Sequence, residues 1–204
     1  MGRFCLDFMM RRVKLMFDMK LLYTNLKCIV TAVLLVVTFS LPASAQSEEE
    51  AALLADLARA EPEAALRIDR ELQAIWTKTG SSSMDLLLRR GRDALEEGDT
   101  RSAIEHLTAL TDHAPDFAEG WHLRAQAFYG ANLYGPAVAD LERALALNPY
   151  NYNAIFGLGA ILESFGDENR AYEAYSRVKT MHPHHEEVDT ALERLESRVG
   201  GTSL

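Results

Sequence analysis

Prolines at Pro115, Pro149 and Pro183 are separated by 34 residues and then by 34 residues again. A fixed period of this length constrains a chain more than any single residue does. Each unit must be one supersecondary element that buries its apolar face against its neighbours. The flanking residues recur as well: Asp-His-Ala-Pro at 112–115, Ala-Leu-Asn-Pro at 146–149 and Thr-Met-His-Pro at 180–183. Stacked units of this kind expose extended surfaces suited to holding another molecule. The period sets how the chain is built; it does not name that molecule.

Counting from the residue 31 before each proline, the units begin at Met84, Ala118 and Tyr152. Position 8 is then Gly91, Ala125 and Gly159, and position 20 is Ala103, Ala137 and Ala171. Small residues there let two antiparallel helices approach closely. Position 15 is Gly98, Asn132 and Gly166, residue types that tolerate the left-handed conformation ending a helix. Asp99 and Asp167 follow, placed to cap the next helix. Proline at position 32 lacks an N–H and suits the exit from the second helix. Large apolar residues fill position 4 (Leu87, Trp121, Ile155), position 11 (Ala94, Phe128, Leu162) and position 24 (Leu107, Leu141, Tyr175), with Ala94 the exception.

This pattern resembles the tetratricopeptide repeat, a family of 34-residue helix–turn–helix units, over residues 84–183 or about half the chain. The second unit fits best, with Trp121, Phe128, Ala137, Ala144 and Pro149 in the family's columns. The first departs, with Leu87 for the usual Trp and Ala94 for the usual Tyr. The resemblance implies an all-α fold, a solenoid of three repeats at 84–117, 118–151 and 152–185. Helices are expected at 84–97, 100–113, 118–131, 134–147, 152–165 and 168–181.

Residues 46–83 fail the repeat columns, since Asp69 would stand at position 20. They read instead as an amino-terminal capping hairpin. One short helix over 48–60 carries Leu53, Leu54 and Leu57. A second, over 62–78, has Pro62 in its first turn and an apolar stripe of Leu66, Leu72, Ile75 and Trp76. Gly80 to Ser83 form a loop. Residues 186–204 read as a capping helix and tail, with Val188, Leu192, Leu195 and Val199 on one face and charges on the others. A solenoid closes its exposed apolar end with such a half-polar helix.

Residues 1–45 read as a cleaved secretory leader. Lys20 and Lys27 precede an apolar run from Cys28 to Phe39, Pro42 is expected to break the helix, and Ala43-Ser44-Ala45 supplies a small-x-small cleavage signature. The same reading holds for a start at Met1, Met16 or Met19. The expected location is the periplasm, with membrane attachment only through an uncleaved leader. The whole chain has 21 Lys and Arg, 30 Asp and Glu and a net charge of −9. Without the leader's six basic and two acidic residues, 15 and 28 remain, a net of −13. Both cysteines, Cys5 and Cys28, leave with it, so stability must come from packing. Such an acidic chain repels nucleic acid and anionic lipid. It admits basic proteins, cationic ligands and metal ions.

No phosphate loop, zinc-protease motif, cysteine pair or nucleophile elbow is present, and the expectation is a non-enzyme without cofactor, metal or catalytic residues. His182, His184 and His185, near Glu186 and Glu187, are read first as a solvated loop and second as a weak metal or small-ligand site. Glu105, His106, Asp112, His113, Asp116, Glu119 and His122 are read first as a hydrogen-bonded junction between repeats and second as a ligand site. The resemblance implies a groove lined by the first helices, which on this chain offers Arg92, Glu119, His122, Gln126, Tyr129, Asn153, Phe156 and Glu163. Helix-lined grooves suit an extended peptide or an amphipathic helix. The family's Lys/Asn clamp for a terminal carboxylate is incomplete, because its columns hold Leu88, Arg92, His122, Gln126 and Asn153. The sequence therefore points to a non-catalytic interaction scaffold or assembly factor that grips a protein segment, a basic one being compatible with its charge. The alternative is a metal- or small-ligand-binding protein that uses its histidines.

Overall fold

The computed structural model describes residues 41–199, with side chains for 48–196. The apolar run of the expected leader, the alternative starts at Met16 and Met19 and the tail at 200–204 lie outside the described residues. Among the described residues there are nine helices: α1 (Leu41–Leu57), α2 (Pro62–Trp76), α3 (Ser82–Glu96), α4 (Thr100–His113), α5 (Ala118–Gly130), α6 (Tyr134–Leu147), α7 (Tyr152–Ser164), α8 (Glu168–Met181) and α9 (Val188–Val199). No described helix is long and apolar enough to cross a membrane. Helices α3 to α8 match the spans expected from the period to within a residue or two.

Each repeat column has its structural counterpart. Gly98, Asn132 and Gly166 sit at φ of 74°, 60° and 78°, the left-handed turn that frees the chain to start the second helix. Asp99 then accepts from the Ser102 amide at 3.0 Å, and Asp167 from the Arg170 amide at 3.3 Å. Ala103, Ala137 and Ala171 are fully buried where the paired helices touch. A Cβ on Gly159 would lie 2.7 Å from the Tyr175 ring, and one on Gly91 2.6 Å from the Leu107 side chain. The repeat-ending prolines also leave carbonyls that the following repeat uses: Arg143 donates to Pro115 O at 3.2 Å and Arg177 to Pro149 O at 2.7 Å.

The core passes from repeat to repeat. Leu88, Leu107 and Leu110 of the first pack with Leu123 and Ala127 of the second. Ala125, Ala137, Leu141 and Ala144 of the second pack with Ala154 and Ile161 of the third. In the third, Tyr152, Tyr175 and Val178 pack with Val188 and Leu195 of α9, which closes that end.

The amino-terminal segment departs from expectation in three ways. Pro42 does not break a helix: it lies in the first turn of α1, where a missing N–H is tolerated, and α1 runs on through Ala43-Ser44-Ala45. Leu66 is 65% exposed, while Ala65, Ile68, Leu72 and Trp76 form the buried stripe. Positions 65, 68, 72 and 76 keep helical phase; Leu66 falls one residue outside it. Finally, the hairpin does not cap the first repeat. Leu57, Ala65, Ile68, Leu72 and Trp76 belong to the same buried cluster as Tyr152, Tyr175, Val178, Val188 and Leu195, at the opposite end of the array.

Candidate functional site: the face of the first helices

At the junction of the first two repeats the face carries a buried polar cluster. Glu119 and His122, on one side of α5 at i,i+3 spacing, are each only 4% exposed. Glu119 accepts from Arg92 of α3 at 3.2 Å, from His122 Nδ1 at 3.1 Å and from Asn151 at 3.3 Å. The other ring nitrogen of His122, Nε2, lies 3.0 Å from the Gln126 side-chain amide nitrogen. Burial alone would raise the Glu119 carboxyl, but the neighbouring His122 ring and Arg92 guanidinium outweigh it and hold the group below the usual carboxylate range. Asn151 also caps α7 by accepting from the Ala154 amide at 3.0 Å, so the cluster ties three repeats together.

Two of the residues expected to face a partner, Arg92 and Glu119, pair with each other within the fold. Glu119 is spent inside the fold, because both its oxygens are bonded and almost no surface remains. Arg92, which pairs with it, borders neither of the two clefts described below. Of the polar residues around the first junction, Glu119 and His122 do form the expected hydrogen-bonded link, and the exposed Asp116 accepts from Arg143 of the second repeat at 3.4 Å, whereas Asp112 and His113 are exposed. A second buried pair went unforeseen: Arg124 grips Asp140 through two bonds of 2.6 and 2.8 Å and donates to Thr111 at 2.8 Å, with its guanidinium 4.7 Å from the Trp121 ring centre.

Beyond the cluster the face opens into a cleft of about 300 Å³ lined by His122, Gln126, Tyr129, Asn153, Phe156 and His185 over a floor of Ala125, Leu141 and Ile161. A wider cleft continues from it past Tyr129 and Phe156 to Glu163, Glu186, Glu187 and Arg194. Five of the eight sequence-derived groove residues therefore line one hollow: His122, Gln126, Tyr129, Asn153 and Phe156. Glu163 reaches only the wider part, where it accepts two bonds from Arg194 at 2.6 and 2.7 Å and one from the Tyr175 hydroxyl at 3.0 Å. Burial, and then this carboxylate, push the Tyr175 hydroxyl up. Glu186 and Glu187 are exposed at the rim.

Of the three histidines expected in a solvated loop, His184 is exposed, but His182 is buried and His185 half-buried. His182 is 6% exposed and meets Tyr152 edge-on, with centroids 5.1 Å apart. His185 stacks on Phe156 at 4.9 Å and so forms one wall of the cleft. His184 donates to the Ala60 carbonyl at 3.0 Å, tying the hairpin to this segment. Burial lowers the pKa of both His182 and His185. Among the described residues no group of three or more His, Cys, Asp or Glu is placed to hold a metal ion.

On the other side of Tyr152 lies α2. Trp76 packs on the Tyr152 ring at 5.1 Å, Gln73 donates to its hydroxyl at 3.3 Å, and that hydroxyl donates to Asp69. Asp69 is the residue that breaks the repeat pattern at position 20. The misfit is legible in the sequence; its partner, 83 residues further on, is not.

The tetratricopeptide-repeat family profile matches residues 88–152 and, in a second register, 122–186. The chain carries tetratricopeptide repeats. A TPR repeat-containing protein of Rhizobium etli is 26% identical over 141 residues, which are 69% of each chain. The SGT1 homolog of Bos taurus is 37% identical over 73 residues, 36% of this chain and 22% of that protein. Among solved structures, the first TPR of Spaghetti (RPAP3), bound to the HSP90 peptide SRMEEVD, superposes with a TM-score of 0.55 at 23% identity over 57% of this chain and 93% of that one.

Proposed function

We propose that this tetratricopeptide-repeat protein is a non-catalytic binding module that holds a segment of another protein in the cleft between α5, α7 and the start of α9. The carrying observation is the hollow of about 300 Å³, apolar at its floor and edged by Gln126, Asn153 and His122. It suits one large apolar side chain, with polar groups left to orient a backbone. Helix-lined grooves bind protein segments in this way, and the related RPAP3 repeat domain was solved with a peptide bound.

The segment held is basic next to its apolar anchor. Glu186 and Glu187 stand exposed at the rim, and Arg92 is already paired with Glu119. Opposite charge at the rim steers encounter and fixes register. The leader pattern at 1–45 supports export, with the periplasm as the site of action.

Fluorescence anisotropy with short labelled peptides tests the reading. A peptide with one aromatic and two lysines should bind, and its glutamate counterpart should not. Tyr129→Ala and Asn153→Ala, at surface positions, should each weaken binding about 10-fold or more while leaving the fold intact. Equal binding of both peptides, or no effect of either substitution, contradicts the assignment.

A further inference from the structure

The apolar surface continues beyond the open cleft, and the chain's own hairpin covers the continuation. Phe156 lines the cleft and also packs against the cluster that holds α2. Tyr152, at the first position of α7, is covered by Trp76, Gln73 and Asp69 of α2 on one side and by His182 on another. The other two repeat cores are built without any hairpin residue. The connection from α2 to α3 is a polar turn, Thr77 to Ser81, with Gly80 at φ 76° and nothing within 4 Å of the place a Cβ would occupy. The seat is also imperfect: His182 Nδ1 is buried with no hydrogen-bond partner, and its Nε2 stands 3.9 Å from Asp69. A buried unpaired polar atom weakens the packing that encloses it.

We propose that the α1–α2 hairpin is a tethered, displaceable occupant of this surface. The partner of the open cleft extends onto it as an amphipathic helix with an apolar stripe like that of Ala65, Ile68, Leu72 and Trp76. The inference rests on the cleft being a binding site. Helix α2 shows what the surface accepts: one apolar stripe, with an aromatic ring set against Tyr152. Because the hairpin is joined to the array by a short turn, its effective concentration is high and it excludes competitors of modest affinity. A partner that fills both cleft and covered surface gains enough contact to displace it.

Amide hydrogen exchange on the whole chain reads the opening directly. Amides of Leu66 to Trp76 should be at least about 10-fold less protected than those of α5 and α7, because the hairpin opens without global unfolding. A labelled peptide copying Pro62–Trp76 should bind the Trp76→Ala chain at least about 10-fold more tightly than the unaltered chain, since the tethered competitor has been weakened. If Trp76→Ala fails to fold, Gln73→Ala replaces it, a milder change at the same contact. Equal protection of α2 and α7, or equal peptide affinity for both chains, overturns the proposal. A basic peptide that binds the cleft with no change in α2 protection also overturns displacement while leaving the cleft reading in place. Loss of the basic-peptide binding with α2-peptide binding retained fails the cleft reading alone.

Discussion

Trp76 lies against Tyr152 with ring centroids 5.1 Å apart at 58°, joining an element that precedes the repeats to the start of the third one. That contact places the hairpin at the far end of the array from the repeat it adjoins in sequence. It also divides the face of the first helices into a covered part and an open part, with Phe156 shared between them.

The seat of the hairpin is sensitive to acid. Burial holds the pKa of His182 and of His185 below the ordinary value near 6.5, so the docked state binds protons less readily than the undocked one. Docking is therefore fully stable above about pH 6.5 and weakens as the pH falls below it. The charged and titratable groups around the two rings are Asp69 from α2, which opposes the shift, Tyr152 from α7, and His184 and Glu186 from their own segment. Trp76 fluorescence in a Trp121→Phe background should change as the pH is taken from about 7.5 to about 5, before the far-ultraviolet dichroism falls, and His182→Gln should flatten the response. A flat signal in the unaltered chain counts against this account.

Glu119 sets a second, lower window. Its folded-state pKa is depressed, so the stability it contributes is present above the ordinary carboxylate value near 4.5 and is lost as the pH falls below that value toward the folded one. The groups facing it are Arg92 from α3 and His122 from α5, with the neutral Asn151 completing its bonds. Urea midpoints measured between about pH 6 and pH 3 should drop more steeply for the unaltered chain than for Glu119→Gln. Parallel curves are the contrary result.

The Arg124–Asp140 pair is half of a buried structure, and breaking it leaves an uncompensated charge. With the side chains 13% and 7% exposed, Asp140→Ala should destabilise the chain by about 3–5 kcal/mol. Removing both charges, in Arg124→Met with Asp140→Leu, should recover most of that loss. Denaturant unfolding of the two variants decides it, and a single substitution that costs less than about 1 kcal/mol is inconsistent with the geometry.

Small residues between paired helices are a steric requirement. Gly159→Ala sets a Cβ 2.7 Å from the Tyr175 ring, which is itself held through its hydroxyl by Glu163 and cannot step aside. A loss of about 1–3 kcal/mol is expected. Gly135→Ala, where nothing lies within 4 Å and the residue is in the first turn of α6, should be neutral or mildly stabilising. Comparing their thermal midpoints checks the contrast.

The sequence carries the local part of this structure well. Gly98, Asn132 and Gly166 announce their turns because a left-handed conformation restricts residue type, and Ala103, Ala137 and Ala171 announce helix contacts because only small side chains fit. Tyr129, Asn153 and Phe156 fall in one cleft because position within a repeat fixes which face a residue joins. Contacts between remote segments leave no periodic trace. The apolar stripe of α2 is visible in its spacing, but nothing in it states that Tyr152 rather than the first repeat receives it. For Glu119, its column suggests an exposed groove contact, and only the convergence of Arg92, His122 and Asn151 shows it to be buried. The histidines read as a polar loop because hydropathy does not register that Phe156 and Tyr152 stand ready to stack on them.

The most direct test of the central claim is a nuclear magnetic resonance titration of the chain with the aromatic, lysine-containing peptide, mapping the perturbed backbone amides. The account predicts shifts concentrated at 122–129, 153–160 and 185–187, the residues around the open cleft. Perturbations confined to the second helices of the repeats, α4, α6 and α8, or no saturable shift at all, would contradict it.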